Sequence, residues 1–365
     1  MRLLSKRASL AEEGLKVAFP PALHLHPSKA NRKFSPVIIY LLADIFFNLY
    51  LVLKLALFFL VALLSLAFYR ISGARVRLYD FRQRPQGPAS NFSQSTVARV
   101  PGFVSLVQAH EFYSSSLKRP VTYSIFIPPA YATSLERNFP VIYWLHGSNG
   151  SGRSLEPLAQ KFLNAMRSGL MEESIIVFPE SERLSMWVNS KDNSYPSEDI
   201  VINDLIPHIQ QSYRISQNRS QTFIAGFSMG GYGAARIGLK FRDLFGHIIM
   251  VGAGTLDDSL DHTPRANQQI KLSVLNDVYG GSDAYFYEQS PRFEALTNKQ
   301  KSPDYPISIT IIVGEEDEVY SQNLNFSEFL RQHGYDNLFL SLPGISHNLR
   351  DYLFLSQDAL FHNVW

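Results

Sequence analysis

From about residue 103 to the end of the chain, short apolar runs alternate with longer stretches in which apolar residues recur at helical spacing. The short runs, rich in Val, Ile and Phe, predict β-strands, and the longer stretches predict amphipathic helices. Strands that alternate with such helices predict an α/β domain with a mostly parallel central sheet flanked by helices. The predicted strands are residues 103–113, 121–127, 140–145, 174–178, 221–225, 247–251, 307–313 and 337–342, and the predicted helices are 154–168, 199–213, 229–241, 321–333 and 349–361.

One long stretch, residues 252–306, breaks this alternation and is rich in Asp, Gly, Gln and Pro. An insertion of that size inside a compact domain is usually a lid or a substrate-binding excursion. We therefore predict a domain over residues 103–365 that carries a lid-like insertion.

A long apolar segment precedes the predicted domain. Residues 49–69 contain a single charge, Lys54, and are long enough to cross a bilayer core of roughly 30 Å. Lys54 lies near one end of the run, where its amine can reach the interface. The sequence thus predicts one transmembrane helix within residues 37–69, preceded by a basic tail over 1–36 and followed by a linker over 70–102 that is rich in polar and turn-forming residues.

Two alternatives explain the apolar segment less well. A buried soluble helix is seldom so long and so apolar, and a signal peptide has a shorter basic region and an apolar core of about 7–15 residues. The tail carries seven Lys/Arg against five in residues 70–84, which places the tail in the cytoplasm and the α/β domain outside it. If only the Lys and Arg residues closest to the two ends of the apolar segment are counted, the rule predicts the reverse orientation, with the α/β domain in the cytoplasm.

Charge is divided unevenly along the chain. Residues 1–84 carry 13 Lys/Arg against 4 Asp/Glu, whereas residues 85–365 carry 21 against 28. The body is therefore acidic, which argues against nucleic-acid binding, since that requires a basic face. The chain has no cysteine, which excludes disulfides, thiol catalysis and cysteine metal sites.

The most specific chemical pattern lies between a predicted strand and a predicted helix. Residues 226–231 read Gly-Phe-Ser-Met-Gly-Gly. In a strand–turn–helix context, G-x-S-x-G predicts a nucleophile elbow, a sharp turn that exposes its serine, here Ser228. The five-residue pattern alone is common by chance, so the prediction depends on the strand before it and the glycine-rich helix after it.

A serine hydroxyl is a poor nucleophile at neutral pH and needs a base, which an acid must orient. The candidate base is His347, after the last predicted strand, and the candidate acid is Asp317, after the strand before it. The chain order Ser228, Asp317, His347 is that of α/β-hydrolases. Asp317 is one of four consecutive acids in residues 315–318, and spacing alone does not distinguish it from a solvated acidic turn.

A developing oxyanion also needs hydrogen-bond donors. Residues 144–150, directly after the third predicted strand, read Trp-Leu-His-Gly-Ser-Asn-Gly. The small residues that follow His146, beginning with Gly147, allow backbone N–H groups to face a substrate. This is the candidate oxyanion loop, and the amide of Met229, next after the candidate nucleophile, is a further candidate donor.

Together these motifs resemble the esterase D-type branch of the α/β-hydrolases, which includes S-formylglutathione hydrolases, feruloyl and acetyl esterases, enterochelin esterases and mycolyltransferases. The resemblance covers about residues 105–365. Its most specific part, Gly-Phe-Ser-Met-Gly-Gly-Tyr-Gly-Ala at 226–234, is far more restrictive than G-x-S-x-G. The other matching segments are residues 140–147, 204–209, 213–214, 243–245, 314–317 and 343–347.

The resemblance implies an α/β-hydrolase fold, with Ser228 as nucleophile, Asp317 as acid and His347 as base. It also implies oxyanion donors from the amides of Ser148 and Met229. The chain departs from the family pattern in the turn that contains His347. Family members usually have glycine directly before this histidine and an aromatic residue soon after, whereas the turn here reads Ile-Ser-His-Asn-Leu. This departure affects the expected shape of the pocket more than the expected chemistry.

We therefore predict a membrane-anchored serine esterase that hydrolyses a small-molecule, glycan or lipid ester through an acyl-serine, with no cofactor and no metal. Asp257, Asp258 and Asp261 resemble a metal cluster only loosely, and a solvated lid accounts for them more simply. The membrane segment lies outside the common core of the family, so substrate and location do not follow from the resemblance, and the oligomeric state stays open.

Three alternatives remain. Acyl transfer to a sugar or lipid acceptor shares the acyl-serine with hydrolysis, and a catalytically silent, membrane-tethered binding module would share the fold. Residues 147–154 also match the P-loop pattern G-x-x-x-x-G-K-[ST], with Arg153 in place of lysine. Arginine does not replace that lysine as a compact charge, and no clear Mg²⁺-binding aspartate ends a neighbouring apolar strand.

Overall fold

In the computed structural model, the residues that can be described are 105–148, 155–301, 305–356 and 361. The predicted basic tail, transmembrane helix and linker lie outside these ranges, as does Arg153 of the P-loop-like segment. Within the ranges described, no helix combines the length and the apolar character that a membrane crossing requires.

The described strands form one eight-stranded sheet in the order β1-β2-β4-β3-β5-β6-β7-β8. β2 pairs antiparallel with β1 and with β4, and every other pairing is parallel, which confirms the predicted mostly parallel sheet. Each of the eight predicted strands is present. Their bounds are Val107–Ser114 (β1), Arg119–Phe126 (β2), Val141–Leu145 (β3), Ile175–Pro179 (β4), Thr222–Phe227 (β5), His247–Val251 (β6), Ser308–Gly314 (β7) and Asn337–Leu342 (β8).

Helices connect the parallel strands. The element α2 is a continuous helical segment in which a π-helical turn, Ile200–Leu205, joins Ser197–Asp199 to Ile206–Ser212. The last helix ends at Phe354 and is therefore shorter than the predicted 349–361. Phe361, beyond its end, is buried and packs against Phe162. The remaining helices are Leu155–Arg167 (α1), Met229–Lys240 (α3), Gln268–Asp277 (α4), Asp283–Glu288 (α5), Pro291–Lys301 (α6), Tyr320–Gln332 (α7) and Leu349–Phe354 (α8).

The sheet carries helices on both faces. α1 and α8 pack on one face, where Trp144 and Phe162 meet edge to face with ring centroids 5.8 Å apart. α2, α3 and α7 pack on the other face together with part of the insertion. β3 and β4 are buried along their whole length, as expected for parallel strands that are covered on both sides.

The insertion contains three α-helices, α4–α6, and a short 3₁₀ helix, Leu260–His262, none of which the sequence predicted. It is attached to the nucleophile helix, because Tyr232 of α3 donates a hydrogen bond to the Gln289 carbonyl at 2.8 Å. Two of its acids have partners in the protein. Asp257 accepts a hydrogen bond from the amide of Gln322, and Asp258 lies 3.8 Å from the guanidinium of Arg292.

A buried ion pair joins α2 to α3. Arg236 and Glu198 are 1% and 3% exposed and contact each other directly, and Lys240 reaches the second Glu198 oxygen at 2.8 Å. Burial by itself would raise the pKa of Glu198, but the two cations lower it. Removing one partner of such a pair typically costs about 3–5 kcal/mol, because the other charge is then buried alone.

The first turn of α3 approaches β3 so closely that only glycine fits. A Cβ atom on Gly230 would lie 2.0 Å from the carbonyl oxygen of Leu145, and one on Gly226 would lie 2.4 Å from the backbone of Gly230. Neither contact can be relieved by a side-chain rotation, because both involve backbone atoms. The glycines on either side of Ser228 are thus required by packing as well as by the turn.

We predict that Gly230→Ala destabilises the protein by at least about 3 kcal/mol, since the clash must be relieved by moving the backbone of α3 or β3. Urea unfolding of the full chain measures the loss. The matched control is Gly254→Ala, because a Cβ atom at Gly254 would meet nothing within 4 Å. Equal stability of the two variants would show that α3 does not depend on this close approach.

Candidate active site

Ser228 occupies the turn between β5 and α3 in a strained conformation. Its φ of 58° and ψ of −119° lie in a region that residues other than glycine rarely adopt, at a cost of about 1–3 kcal/mol. Three backbone hydrogen bonds hold this turn. The Ser228 N–H donates to Val251 at 3.0 Å, and its carbonyl accepts from Tyr232 at 3.1 Å and Gly254 at 3.2 Å. The result is the predicted elbow, with the side chain at the carboxyl edge of the sheet.

The structure brings the three predicted residues of the triad into one hydrogen-bonded line. The Nε2 atom of His347 lies 2.8 Å from the Oγ atom of Ser228, and its Nδ1 atom lies 2.8 Å and 2.9 Å from the two carboxylate oxygens of Asp317. Each residue comes from a different loop, after β5, β7 and β8. With a proton on Nδ1, the unprotonated Nε2 atom faces the serine hydroxyl as an acceptor.

The carboxylate of Asp317 is buried, with 4% of the residue exposed, and it is held by further donors. The Tyr352 hydroxyl donates to its Oδ2 atom at 2.7 Å, and the Val319 N–H donates to Oδ1 at 2.9 Å. Burial alone would raise the pKa of Asp317, but hydrogen bonds and the charge of His347 lower it overall. Asp317 is thus suited to remain a carboxylate at neutral pH.

Tyr352 is a site residue that the sequence did not predict. It is fully buried on α8, accepts a hydrogen bond from the Gly314 N–H at 2.8 Å and packs edge to face on Phe227. Burial and the neighbouring Asp317 carboxylate raise the pKa of Tyr352, so its hydroxyl stays a donor. One signal in the sequence could have found Tyr352. It follows His347 by five residues, and one turn of the predicted C-terminal helix brings a residue at that spacing back beside the histidine loop.

The predicted oxyanion loop lies against Ser228. A Cβ atom on Gly147 would lie 3.4 Å from the Cβ of Ser228 and 3.3 Å from the Phe227 carbonyl oxygen, so glycine permits this approach. Ser148 follows in the same loop, partly exposed. Met229 is the first residue of α3, where the N–H groups have no partner within the helix. Gly147 and Met229 therefore both adjoin Ser228, one through space and one along the chain.

His146 supports this loop through both of its ring nitrogens. Its Nε2 atom accepts from the Ser181 N–H at 3.2 Å, so Nδ1 carries the proton and donates to the Gly147 carbonyl at 2.8 Å. Trp187, a second residue that the sequence did not predict, donates its indole N–H to the His146 carbonyl at 3.1 Å. Trp187 is fully buried and packs against Gly233 of α3, where a Cβ would lie 2.7 Å from its ring.

The acidic turn after β7 contains one buried carboxylate, that of Asp317, and three exposed ones. Asp317 points inward, whereas Glu315 and Glu318 accept hydrogen bonds from Ser341 at 2.8 Å and Arg265 at 2.7 Å. Ligand atoms of Asp317, Glu318 and His347 lie within 4.8 Å of one another, a spacing that a metal could use. However, Asp317 and His347 bond each other, and Glu318 forms an exposed ion pair with Arg265.

This arrangement can support nucleophilic catalysis. A hydroxyl hydrogen-bonded to an unprotonated imidazole nitrogen can lose its proton as it attacks a carbonyl carbon. A carboxylate on the far side of the ring fixes the tautomer and stabilises the imidazolium that forms. Backbone N–H groups at a helix start can stabilise negative charge on the attacked oxygen.

The sheet order, the elbow and the loop positions define an α/β-hydrolase. Residues 114–340 match the family model described as "Putative esterase". The match covers more than half of the chain, so the chain belongs to this esterase family and is an esterase.

Individual relatives agree with the family. An acetyl esterase of Caldicellulosiruptor saccharolyticus is 25% identical over 243 residues, which are 62% of this chain and 87% of that protein. A ferulic acid esterase structure superposes with a TM-score of 0.57 at 22% identity, over 71% of this chain and 98% of its own. The structure of the fluorophosphonate-binding serine hydrolase FphF of Staphylococcus aureus superposes with a TM-score of 0.57 at 19% identity. The superposition covers 70% of this chain and 97% of FphF. At these identities the two structures show the shared fold.

We predict that Tyr352→Phe lowers kcat about tenfold, because the Asp317 carboxylate loses a donor that holds it in position beside His347, and small misplacements of reacting groups are costly. Without this donor, the Asp317 carboxylate interacts more strongly with a protonated His347. The acid limb of the kcat/KM profile should therefore move to higher pH, which a pH series of ester hydrolysis measures. An unchanged pH profile would contradict this role of Tyr352.

The same variant has a predicted effect on stability. Because the folded pKa of Asp317 is lowered, its stabilising contribution is present above the unfolded value of about 3.9 and is lost as the pH falls through the folded pKa. Tyr352→Phe should thus reduce the unfolding free energy more at pH 7 than in acid. The control is Tyr335→Phe, which loses a buried hydrogen bond to the Ala295 carbonyl but does not contact Asp317.

Proposed function

We propose that this esterase hydrolyses carboxylic esters through an acyl-serine intermediate, with Ser228 as nucleophile, His347 as general base and Asp317 as the orienting acid. The observation that carries the proposal is the continuous line of hydrogen bonds from Asp317 through both ring nitrogens of His347 to Ser228, each about 2.8–2.9 Å. Membership of the esterase family supports the same chemistry.

In the first half of the proposed reaction, the Oγ atom of Ser228 attacks the ester carbonyl carbon as its proton passes to Nε2 of His347. The tetrahedral intermediate then collapses, and the bond between the carbonyl carbon and the alcohol oxygen breaks. The alcohol leaves with the proton from Nε2, and the acyl group remains on Ser228. Asp317 stays ionised throughout and stabilises the imidazolium.

The oxyanion of the intermediate is assigned to the backbone amides of Ser148 and Met229. The loop with Gly147 is held close to Ser228 by the contacts of His146 described above. A donor fixed before the reaction costs no reorganisation when charge develops, and removing one such donor in other hydrolases costs about 2.7–4 kcal/mol. The close approach at Gly147 therefore matters for rate as well as for packing.

In the second half, a water molecule takes the place of the alcohol. Nε2 of His347 accepts a proton from this water as it attacks the acyl carbon, and the bond from that carbon to Ser228 breaks. The serine regains its proton and the carboxylic acid is released. Because the relative from Caldicellulosiruptor saccharolyticus is an acetyl esterase, acetyl esters are the first substrates to test.

We predict that a fluorophosphonate probe labels Ser228, because such probes react with serines that a neighbouring histidine activates. Peptide mapping of the labelled protein locates the adduct. Ser228→Ala should abolish labelling and lower kcat for p-nitrophenyl acetate by several orders of magnitude, on the order of 10⁶ where a complete triad operates.

The matched control for this experiment is Ser220→Ala. Ser220 is exposed and lies before β5, at the opposite edge of the sheet from Ser228. The Ser220→Ala variant should react with the fluorophosphonate probe and hydrolyse p-nitrophenyl acetate like the unchanged protein. Labelling that persists in Ser228→Ala, or ester hydrolysis that does not fall, would refute the assignment of the nucleophile.

A further inference from the structure

Asn323 is a buried amide that joins the turn of Asp317 to the loop after β6. It lies in the first turns of α7 and is fully buried. Its Nδ2 atom donates to the carbonyl of Ala253 at 2.7 Å and to the carbonyl of Val319 at 2.8 Å. The two carbonyls fix the orientation of the amide, because only its NH₂ end can donate. One side chain thus links two segments that are distant in the chain.

The Val319 end of this bridge belongs to the turn that shapes Asp317. The Val319 N–H donates to Oδ1 of Asp317 at 2.9 Å, and the N–H of Tyr320 donates to the Asp317 carbonyl, also at 2.9 Å. Val319 therefore contacts the carboxylate through its N–H and Asn323 through its carbonyl. A displacement of Asn323 is passed to the Asp317 carboxylate through a single residue.

The Ala253 end of the bridge belongs to the loop that supports Ser228. The N–H of Gly254, the next residue along the chain, donates to the Ser228 carbonyl at 3.2 Å. A Cβ atom on Gly252 would lie 3.0 Å from Oδ2 of Asp317, so the same loop borders the carboxylate. The bridge therefore connects the support of the proposed nucleophile to the support of the proposed acid.

The remaining polar atom of Asn323 indicates a role beyond packing. Its Oδ1 atom is buried and has no hydrogen-bond partner within the part of the chain that the structure describes. An unpaired buried acceptor lowers stability, and such exceptions call for a specific explanation. A leucine has the same branched shape and would avoid this penalty. What leucine lacks is the pair of donors that reach the two carbonyls.

The position of His347 depends on the separation of these two supports. Its Nδ1 atom lies 2.8 Å from Oδ2 of Asp317, and its Nε2 atom lies 2.8 Å from Oγ of Ser228. Because the imidazole ring is rigid, one of these contacts must lengthen if the acid and the nucleophile move apart. A misplacement of about 1 Å among reacting groups can lower a rate about 100-fold.

We propose that Asn323 is a positioning residue for the triad, which holds the turn of Asp317 and the loop behind Ser228 at the separation that His347 spans. The inference rests on the proposed acyl-serine mechanism. Asn323 acts through its two carbonyl partners and takes no part in the proton transfer itself. Its loss should therefore slow the chemical step and leave ester binding unchanged.

Two variants of the full chain break the bridge. Asn323→Leu keeps the branched shape and has no donor. Asn323→Ser adds no bulk and retains one donor, which in a helix bonds the carbonyl four residues earlier, that of Val319, so the bond to Ala253 is lost. A thermal melt gives the folded fraction of each variant at the assay temperature.

We expect both variants to lower kcat for p-nitrophenyl acetate about tenfold with KM unchanged, the pattern of an interaction that acts on the transition state. The second-order rate constant for fluorophosphonate labelling of Ser228 should fall by a similar factor, because labelling needs the same activated hydroxyl but no bound ester. Both rates are expressed per folded protein, so a loss of stability alone changes neither.

The matched control is Asn337→Leu. The amide of Asn337 donates to the carbonyls of Ser327 and Tyr335 at 3.1 Å and 3.4 Å, so the same substitution removes a comparable pair of bonds. Asn337 is the first residue of β8, at the opposite edge of the sheet from His347. This variant should lose stability but keep both kcat and the labelling rate.

The outcomes separate the two proposals. A lower kcat and slower labelling in both Asn323 variants, with Asn337→Leu unaffected, support the positioning role. Unchanged kcat per folded protein, a loss in Asn323→Leu alone, or a loss carried by KM overturns it while the triad stands. Hydrolysis that persists in Ser228→Ala would instead refute the proposed function, and the role of Asn323 would fall with it.

Discussion

The backbone of Ser228 is held in a conformation that a free serine would leave, and the geometry of the site depends on this strain. The positive φ is maintained by hydrogen bonds to Val251, Tyr232 and Gly254, and by the approach of α3 to the Leu145 carbonyl. A strained residue persists only where its surroundings determine it completely. Here the surroundings are the central strands of a buried parallel sheet, which explains why the serine can be partly exposed and rigid at once.

The same sheet edge supplies the other groups at fixed positions. Asp317 and His347 follow adjacent strands, β7 and β8, so their loops meet without any long connection. Tyr352 closes the arrangement from α8, and the pKa of Asp317 stays low in spite of burial because its oxygens have several donors. On the other side, Trp187 fixes the oxyanion loop against α3. The groups lie in short loops that directly follow strands of the sheet, and buried contacts hold these loops in place, as efficient preorganisation requires.

Sequence patterns predicted the core of the molecule well because its strands are continuous apolar runs and its elbow is chemically restrictive. They also predicted which residues meet, since Ser228, Asp317 and His347 each follow a strand of one parallel sheet. The patterns failed where contacts are tertiary. Two of the insertion helices, α4 and α5, bury a single residue each, Val274 and Phe286, so their periodicity is weak. Tyr352 and Trp187 act through contacts that link elements distant in the chain, which local patterns do not encode.

The proposed acyl transfer through Ser228 requires a covalent acyl-enzyme, which can be trapped during turnover. The protein is mixed with p-nitrophenyl acetate, quenched in acid during turnover, digested and analysed by mass spectrometry. We expect one acetyl group on the peptide that contains Ser228, formed at a rate that can support turnover. Turnover with no covalent acetyl group, or with the acetyl group on a different residue, would contradict it.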